Sequence, residues 1–129
     1  MKLCLDTNIY SAFKNGNRQI TDILENADEI LIPVTVLGEL YSGFQIGSLT
    51  EKNLTELDKF LSKPGISIIE INKEIAFRYG FITKELRKQG TPIPTNDIWI
   101  AASTMDTGSI LLSSDKHFKE VPGLMVLDF

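Results

Sequence analysis

Four acidic residues, Asp6, Glu39, Asp97 and Asp115, have the side-chain type and the placement to form a joint site. Clustered carboxylates repel one another when they are buried, so a cluster of this kind requires a cation. Carboxylate oxygens suit Mg²⁺ or Mn²⁺ better than Zn²⁺, and the sequence offers neither a pair of cysteines nor a second histidine. The chemistry expected of such a site is attack by metal-activated water on a phosphodiester.

Two of these carboxylates follow predicted strands of one sheet. Asp6 comes directly after the apolar segment 2–5, and Asp115 follows the segment 110–113. Ligands of open parallel sheets bind outside the carboxyl ends of the strands. We therefore expect Asp6 and Asp115 to project from the same edge of the sheet.

The other two carboxylates lie on predicted helices. Asp97 falls in the first turn of its helix, four residues before Ala101, whose small side chain leaves room beside it. Glu39 borders the apolar stripe of another helix, with Gly43 one turn further on, where we expect close approach by another element. If the helices cover the sheet in the usual way, all four carboxylates converge from separate segments.

Each of these placements also has a purely structural interpretation. Asp6 before a helix can serve as an N-cap, and Asp97 in a first turn complements the helix dipole. Asp115 in a strand-exit turn is common as well. Glu39 is the hardest to explain by structure alone, because a carboxylate beside an apolar stripe has no evident partner. The joint placement is what favours a metal site.

The elements that must position these residues are short β-branched strands alternating with helices, a pattern typical of a parallel sheet covered on both faces. The sequence therefore predicts an α/β fold, organised as one domain over residues 1–129. The predicted strands are 2–5, 30–34, 66–71, 110–113 and 125–127; the predicted helices are 9–13, 18–26, 35–44, 50–61, one from the N-cap Asn72 to Gln89, and one capped by Thr95 or Asn96.

Composition bounds the possible classes of function. The chain has 129 residues, a net charge of −4 and one cysteine, Cys4, inside an apolar run. No apolar run is long enough to cross a membrane, and a lone core cysteine favours a reducing, cytoplasmic location. The acidic balance argues against a protein that binds nucleic acid through Lys and Arg, but a carboxylate cluster filled by metal attracts phosphate.

Four short motifs resemble those of PIN-domain ribonucleases and, among them, the VapC-like toxins of bacterial and archaeal toxin–antitoxin pairs. They occur in the family's order and span nearly the whole chain. The motifs are LDTNI at 5–9, GELYSG at 38–43, NDIWIAA at 96–102 and SSDKHF at 113–118.

The resemblance implies a three-layer α/β/α PIN fold with a short central parallel sheet, and Mg²⁺ or Mn²⁺ held by Asp6, Glu39, Asp97 and Asp115. It also implies endonucleolytic cleavage of RNA, neutralisation by a cognate antitoxin, and a homodimer, for which we expect helices within 18–61 to form the interface. A housekeeping RNA-processing nuclease and an inactive PIN-like binding module are the alternatives.

Five further residues are candidates for supporting the site or contacting substrate. Thr7 and Asn8 are expected to support it through hydroxyl and amide hydrogen bonds, although helix capping explains them equally well. Ser113 stands where the family often has Thr, which keeps a hydroxyl near the metal. Lys116 and His117 adjoin Asp115 and are candidates for phosphate contact, with positioning or packing favoured over a general-base role for His117.

Overall fold

A parallel sheet of five strands forms the centre of the molecule in the computed structural model, which describes all residues from Met1 to Phe129. The strands are β1 (Lys2–Leu5), β2 (Glu29–Pro33), β3 (Ile66–Ile69), β4 (Ile110–Leu112) and β5 (Val126–Leu127). Their spatial order is β3-β2-β1-β4-β5, and every neighbouring pair is parallel.

Six α-helices flank this sheet, which confirms the predicted three-layer α/β/α fold. They are α1 (Thr7–Lys14), α2 (Arg18–Glu25), α3 (Val34–Ile46), α4 (Thr50–Leu61), α5 (Lys73–Gln89) and α6 (Thr95–Asp106); a 3₁₀ helix (Lys116–Glu120) follows β4. None of the helices combines the length and the apolar character that crossing a membrane requires.

The central strand β1 is apolar along its buried length because the sheet is covered on both faces. Leu3, Cys4 and Leu5 are all fully buried, as are Leu111 and Leu112 of the neighbouring strand β4. Strands covered on both faces lose the polar–apolar alternation of half-exposed strands. Burial also raises the pKa of the Cys4 thiol to about 12, so Cys4 is a core residue, as predicted, and not a reactive thiol.

The strand order reverses between β1 and β4. From β1 the chain proceeds outward through β2 to β3 on one side, and it then returns to place β4 and β5 on the other. A reversal of this kind leaves a crevice at the carboxyl ends of the two central strands, where α/β folds bind their ligands. Asp6 and Asp115 follow these two strands, and the Asp6 backbone N–H donates to the Leu112 carbonyl at 3.3 Å.

Several predicted boundaries were wrong, and each has a local cause. β2 ends at Pro33, whose extended backbone is the N-cap of α3, so Val34 belongs to the helix. Helix α6 is capped by Pro94 without any side-chain hydrogen bond, so neither Thr95 nor Asn96 is its cap. The 3₁₀ helix was missed because five residues are too few for an apolar period.

The prediction that Gly43 permits close approach by another element was also wrong. Gly43 is exposed, and a Cβ added there would meet nothing within 4 Å. By contrast, the predicted ends of α5 are confirmed. The Asn72 side chain accepts a hydrogen bond from the Ile75 N–H at 2.9 Å, and Gly90 closes the helix at a φ of 74°.

Candidate metal centre

Asp6 is the most buried carboxylate of the predicted set, with 5% of the residue exposed. It is the N-cap of α1, where its Oδ1 accepts from the Thr7 backbone N–H at 2.8 Å. Its Oδ2 accepts from the Ser113 hydroxyl at 2.8 Å. Burial raises the pKa of Asp6, these two hydrogen bonds oppose the rise, and the charges of Asp97 and Asp115 add to it. The Asp6 side chain therefore caps α1 and also belongs to the charged cluster.

Ser113 connects two carboxylates of the set. Its side chain is almost fully buried at the end of β4, and its Oγ donates to Asp6 while accepting from the Asp115 backbone N–H at 3.0 Å. The hydroxyl thereby uses its donor and an acceptor position at once. The position of Asp6 is coupled in this way to the turn that carries Asp115.

Glu39 extends from α3 towards the start of α1. It is partly buried, and its Oε1 accepts from the Thr7 hydroxyl at 2.9 Å. Burial raises the pKa of Glu39, the Thr7 hydrogen bond opposes this, and the charges of Asp6 and Asp97 raise it further. Thr7 thus contacts Asp6 through its backbone and Glu39 through its side chain. The neighbouring Asn8 is exposed and its side chain makes no hydrogen bond in the site.

Asp97 and Asp115 meet at the only imidazole of the chain. His117 Nδ1 lies 2.9 Å from Asp97 Oδ2 and 3.3 Å from Asp115 Oδ1. One possible ligand atom from each of the three residues lies within 4.8 Å of the other two. Burial raises the pKa of Asp97 despite the hydrogen bond with His117, and that hydrogen bond is the main cause of the raised pKa of His117.

The cluster contains more negative charge than the protein itself neutralises. His117 is the only basic side chain that forms an ion pair with any of the four carboxylates, and the adjacent Lys116 points into solvent without an ion pair. Burial and mutual repulsion raise the pKa of three of the four groups, Asp6, Glu39 and Asp97. A site of several carboxylate oxygens with too little positive charge fits a divalent cation.

A polar groove of about 430 Å³ adjoins Glu39. Thr35, Gly38, Ser42 and Asn96 line it together with Glu39, and none of its lining residues is apolar. The sequence interpretation assigned no role to Thr35 or Ser42. Their spacing offered a signal, because they lie four residues before and three residues after Glu39 and so share its face of α3.

A second groove lies away from the acidic cluster, on the outer side of α5 and α6. It is the larger of the two, at about 540 Å³, and it is lined by Lys73, Glu74, Phe77, Arg78, Phe81, Ile82, Met105 and Asp106. Two aromatic residues of the sequence motifs at 96–102 and 113–118 lie outside this groove. Phe118 is fully buried, and Trp99 packs on Tyr79 with ring centroids 4.1 Å apart.

Comparison with known proteins agrees with this architecture. Residues 3–124 match the PIN domain family. The chain is 32% identical to Ribonuclease VapC2 of Haemophilus influenzae over 127 residues, covering 96% of this chain and 95% of that protein. It is 26% identical to the tRNA(fMet)-specific endonuclease VapC of Salmonella typhimurium, covering 100% and 98% of the two chains.

A solved structure is similar over the full length. The VapBC2 structure from Rickettsia felis, bound to a DNA fragment from the promoter, contains a chain that superposes with a TM-score of 0.90 at 30% identity, covering 100% of this chain and 99% of that one. The chain therefore belongs to the PIN-domain family and, within it, to the VapC group.

Proposed function

We propose that this protein is a divalent-metal-dependent endoribonuclease that acts in the cytoplasm as the toxin of a toxin–antitoxin pair. The observation that carries the proposal is the set of four carboxylates, from the N-cap of α1, from α3, from α6 and from the turn after β4, placed around the reversal of strand order. Full-length similarity to proteins named as VapC ribonucleases supports the choice of RNA as substrate.

Asp6, Glu39, Asp97 and Asp115 are the residues proposed to hold the cation, and Mg²⁺ or Mn²⁺ is the metal that their oxygen atoms favour. A bound divalent ion supplies activation of water and stabilisation of the charge that develops on the phosphate. The raised pKa values of Asp6, Glu39 and Asp97 support this assignment, because they reflect carboxylates that are buried and close together.

The other residues of the site have positioning roles in this proposal. Ser113 fixes the orientation of Asp6 and the turn of Asp115, and Thr7 fixes Glu39. The hydroxyl and amide groups of Thr35, Ser42 and Asn96 line a groove suited to hydrogen bonding with the ribose and phosphate of an RNA strand. Lys116 and His117, exposed at the same edge, are candidates for contact with a neighbouring phosphate.

In the proposed reaction, a water oxygen attacks the phosphorus in line as the bond from phosphorus to O3′ breaks. The attacking water loses one proton and the departing O3′ gains one. The products are a 5′-phosphate and a 3′-hydroxyl. Attack by the 2′-hydroxyl of the RNA would instead leave a cyclic phosphate.

The proposed partners follow from the relatives. The similar Rickettsia felis structure is that of VapBC2, and we propose that a cognate antitoxin blocks the acidic cluster of this chain. An Arg or Lys side chain is suited to that role because charge-assisted hydrogen bonds to carboxylates are strong. The homodimer is proposed as well. Exposed apolar side chains occur within 18–61, at Tyr41, Ile46 and Leu49, but also outside it, on α5.

The test is incubation of purified protein with total RNA in Mg²⁺, in Mn²⁺ and in EDTA, followed by sequencing of the cleaved ends. We expect internal cleavage that needs the metal, ends carrying 5′-phosphate and 3′-hydroxyl, and inhibition by the product of a neighbouring small open reading frame. Cyclic phosphate ends, or undiminished cleavage in EDTA, would contradict the mechanism.

A further inference from the structure

His117 is directed into the carboxylate cluster although packing does not hold it there. Its side chain is 49% exposed and belongs to the short 3₁₀ helix, yet Nδ1 lies within 3.3 Å of both Asp97 and Asp115. The backbone contributes to this placement, because Asp115 caps the 3₁₀ helix by accepting from the His117 N–H at 2.9 Å. The turn that presents Asp115 therefore presents the imidazole as well.

The separations between these atoms match those of ligands that share one metal ion. Ligand atoms about 2.1 Å from a metal lie about 3.0 Å apart at neighbouring octahedral positions and about 3.4 Å apart in a tetrahedron. The Nδ1 separations of 2.9 Å from Asp97 Oδ2 and 3.3 Å from Asp115 Oδ1 agree with these edges. An ion placed among the three atoms would meet a nitrogen as well as oxygens.

We propose that His117 Nδ1 is itself a ligand of the divalent cation, together with one oxygen each from Asp97 and Asp115. This inference rests on the metal site of the proposed function and deepens it. Imidazole suits Zn²⁺ and other later transition metals such as Co²⁺ but contributes little to Mg²⁺, which prefers oxygen. His117 thus makes the site selective for transition metals, whereas four carboxylates alone favour Mg²⁺ or Mn²⁺.

The competing interpretation is that His117 only donates a hydrogen bond to Asp97. Replacement of His117 by asparagine distinguishes metal ligation from hydrogen bonding, because the Asn amide nitrogen takes nearly the place of Nδ1 and can still donate to a carboxylate. It has no imidazole lone pair for a metal. The matched control is Lys119→Asn, in the same 3₁₀ helix, where the only ion pair lost is the surface pair with Asp128.

The first measurement is calorimetric titration with MgCl₂, MnCl₂ and CoCl₂ of protein purified without a polyhistidine tag. We expect His117→Asn to weaken Co²⁺ binding by about 10- to 100-fold and Mg²⁺ binding by less than about threefold. Lys119→Asn should leave the affinity for all three metals unchanged. An equal loss for Mg²⁺ and Co²⁺ would indicate positioning alone and would overturn the proposal.

The second measurement uses the fact that His117 is the only histidine in the sequence. Its imidazole signals in an NMR spectrum are therefore unique, and bound Co²⁺ should shift them far outside the range of the metal-free protein. Unshifted imidazole signals at Co²⁺ saturation would overturn the inference while leaving the carboxylate site intact. Failure of the wild type to bind any of the metals would overturn the metal site of the proposed function and this inference with it.

Discussion

Asp6, at the carboxyl edge of the sheet, is 5% exposed, whereas Phe77, on the outer face of α5, is 78% exposed. The two regions thus depart from the usual burial of apolar and exposure of charged side chains in opposite ways. At the edge of the sheet, hydrogen bonds from the Thr7 backbone N–H and the Ser113 hydroxyl stabilise the buried carboxylate of Asp6. On α5, the exposed side chains of Phe77 and Phe81 line the larger of the two grooves.

The difference shows that the size of a groove does not locate the chemistry. The α5 groove contains an internally neutral pair, with Arg78 Nε 3.1 Å from Asp106 Oδ1. The acidic cluster has the smaller groove but holds three carboxylates whose pKa values are raised by burial and by one another. Uncompensated charge in a partly buried setting is the stronger indication of a functional site.

The largest predicted effect is the loss of RNA cleavage when an aspartate of the acidic cluster is replaced by asparagine. The same replacement in the α5 groove is the control. Asp6→Asn removes a charge at the cluster but keeps an oxygen that can cap α1, so the fold should persist. We expect RNA cleavage to fall by about 10³-fold or more, as for loss of a principal electrostatic group. Asp106→Asn removes a carboxylate of the α5 groove and should leave cleavage unchanged. Initial rates on one RNA and circular dichroism of both variants provide the comparison.

Equal loss of cleavage in Asp6→Asn and Asp106→Asn would remove the functional distinction between the two regions. Loss of helical signal in Asp6→Asn alone would mean that the cap, and not the charge, is what the substitution destroys. Asp6→Ser then keeps a capping oxygen without a carboxylate and should be folded and inactive.

The second prediction concerns the stability of the acidic cluster as a function of pH. The raised pKa values mean that the folded state binds protons more tightly at these carboxyl groups than the unfolded state does. Their contribution to stability is therefore full below the ordinary carboxyl pKa, about 4, and is lost as the pH rises through the raised values. The raised pKa of His117 acts in the same direction, because its contribution to stability begins to fall as the pH rises above about 6.5.

A divalent cation should replace the lost protons and reverse this destabilisation. With Mn²⁺ at 100 times its Kd, we expect about 2.7 kcal/mol of stabilisation at pH 7.5, or about 10 °C in Tm, and little at pH 4. Thermal melts with and without metal at the two pH values test this. Asp97→Asn is the control and should lose most of the shift. A Tm shift of the same size at pH 4 would contradict the expectation that protonation of the carboxylates prevents metal binding at low pH.

A third prediction isolates the hydroxyl that joins Asp6 to Asp115. Ser113→Ala removes the donor to Asp6 and the acceptor for the Asp115 N–H, leaving a buried carboxylate oxygen without its partner. We expect cleavage to fall by about 10- to 100-fold, as for other residues that orient metal ligands. Ser113→Thr keeps the hydroxyl and should retain most of the activity. Equal activity of the Ala and Thr variants would show that the hydrogen bonds are dispensable.

Much of the fold could be predicted because local signals and tertiary packing agree. Asn72 and Gly90 delimit α5 by capping chemistry alone, and the apolar run of β1 is what a strand covered on both faces requires. Other boundaries depend on geometry that a short window does not encode. Pro33 ends one element and begins the next, and nothing in the residues around Pro94 indicates a cap without a side-chain hydrogen bond.

In the candidate site as well, the positions of the residues could be predicted from the sequence, but their contacts with one another could not. Strand ends and a helix start were enough to predict the edge where Asp6, Asp97 and Asp115 lie. The bridge by Ser113 and the contact between Thr7 and Glu39 join residues 107 and 32 positions apart, so no local pattern could predict them. The expected role of Gly43 failed for the same reason, since the space beside a glycine depends on distant elements.

The smallest predicted effect lies on α5 itself. Phe77→Ser should change the free energy of unfolding by no more than about 0.5 kcal/mol, because the side chain is exposed and the two residues have similar helix propensities. Ile82→Ala, on the buried face of the same helix, should cost about 2–5 kcal/mol. Urea unfolding of both variants measures the difference, and RNA cleavage by Phe77→Ser should equal that of the wild type. A large loss of stability in a dilute solution of the Phe77→Ser variant would mean that the exposed phenylalanine supports the core after all. The two regions would then differ only in their charged groups and not in how their unusual side chains contribute to stability.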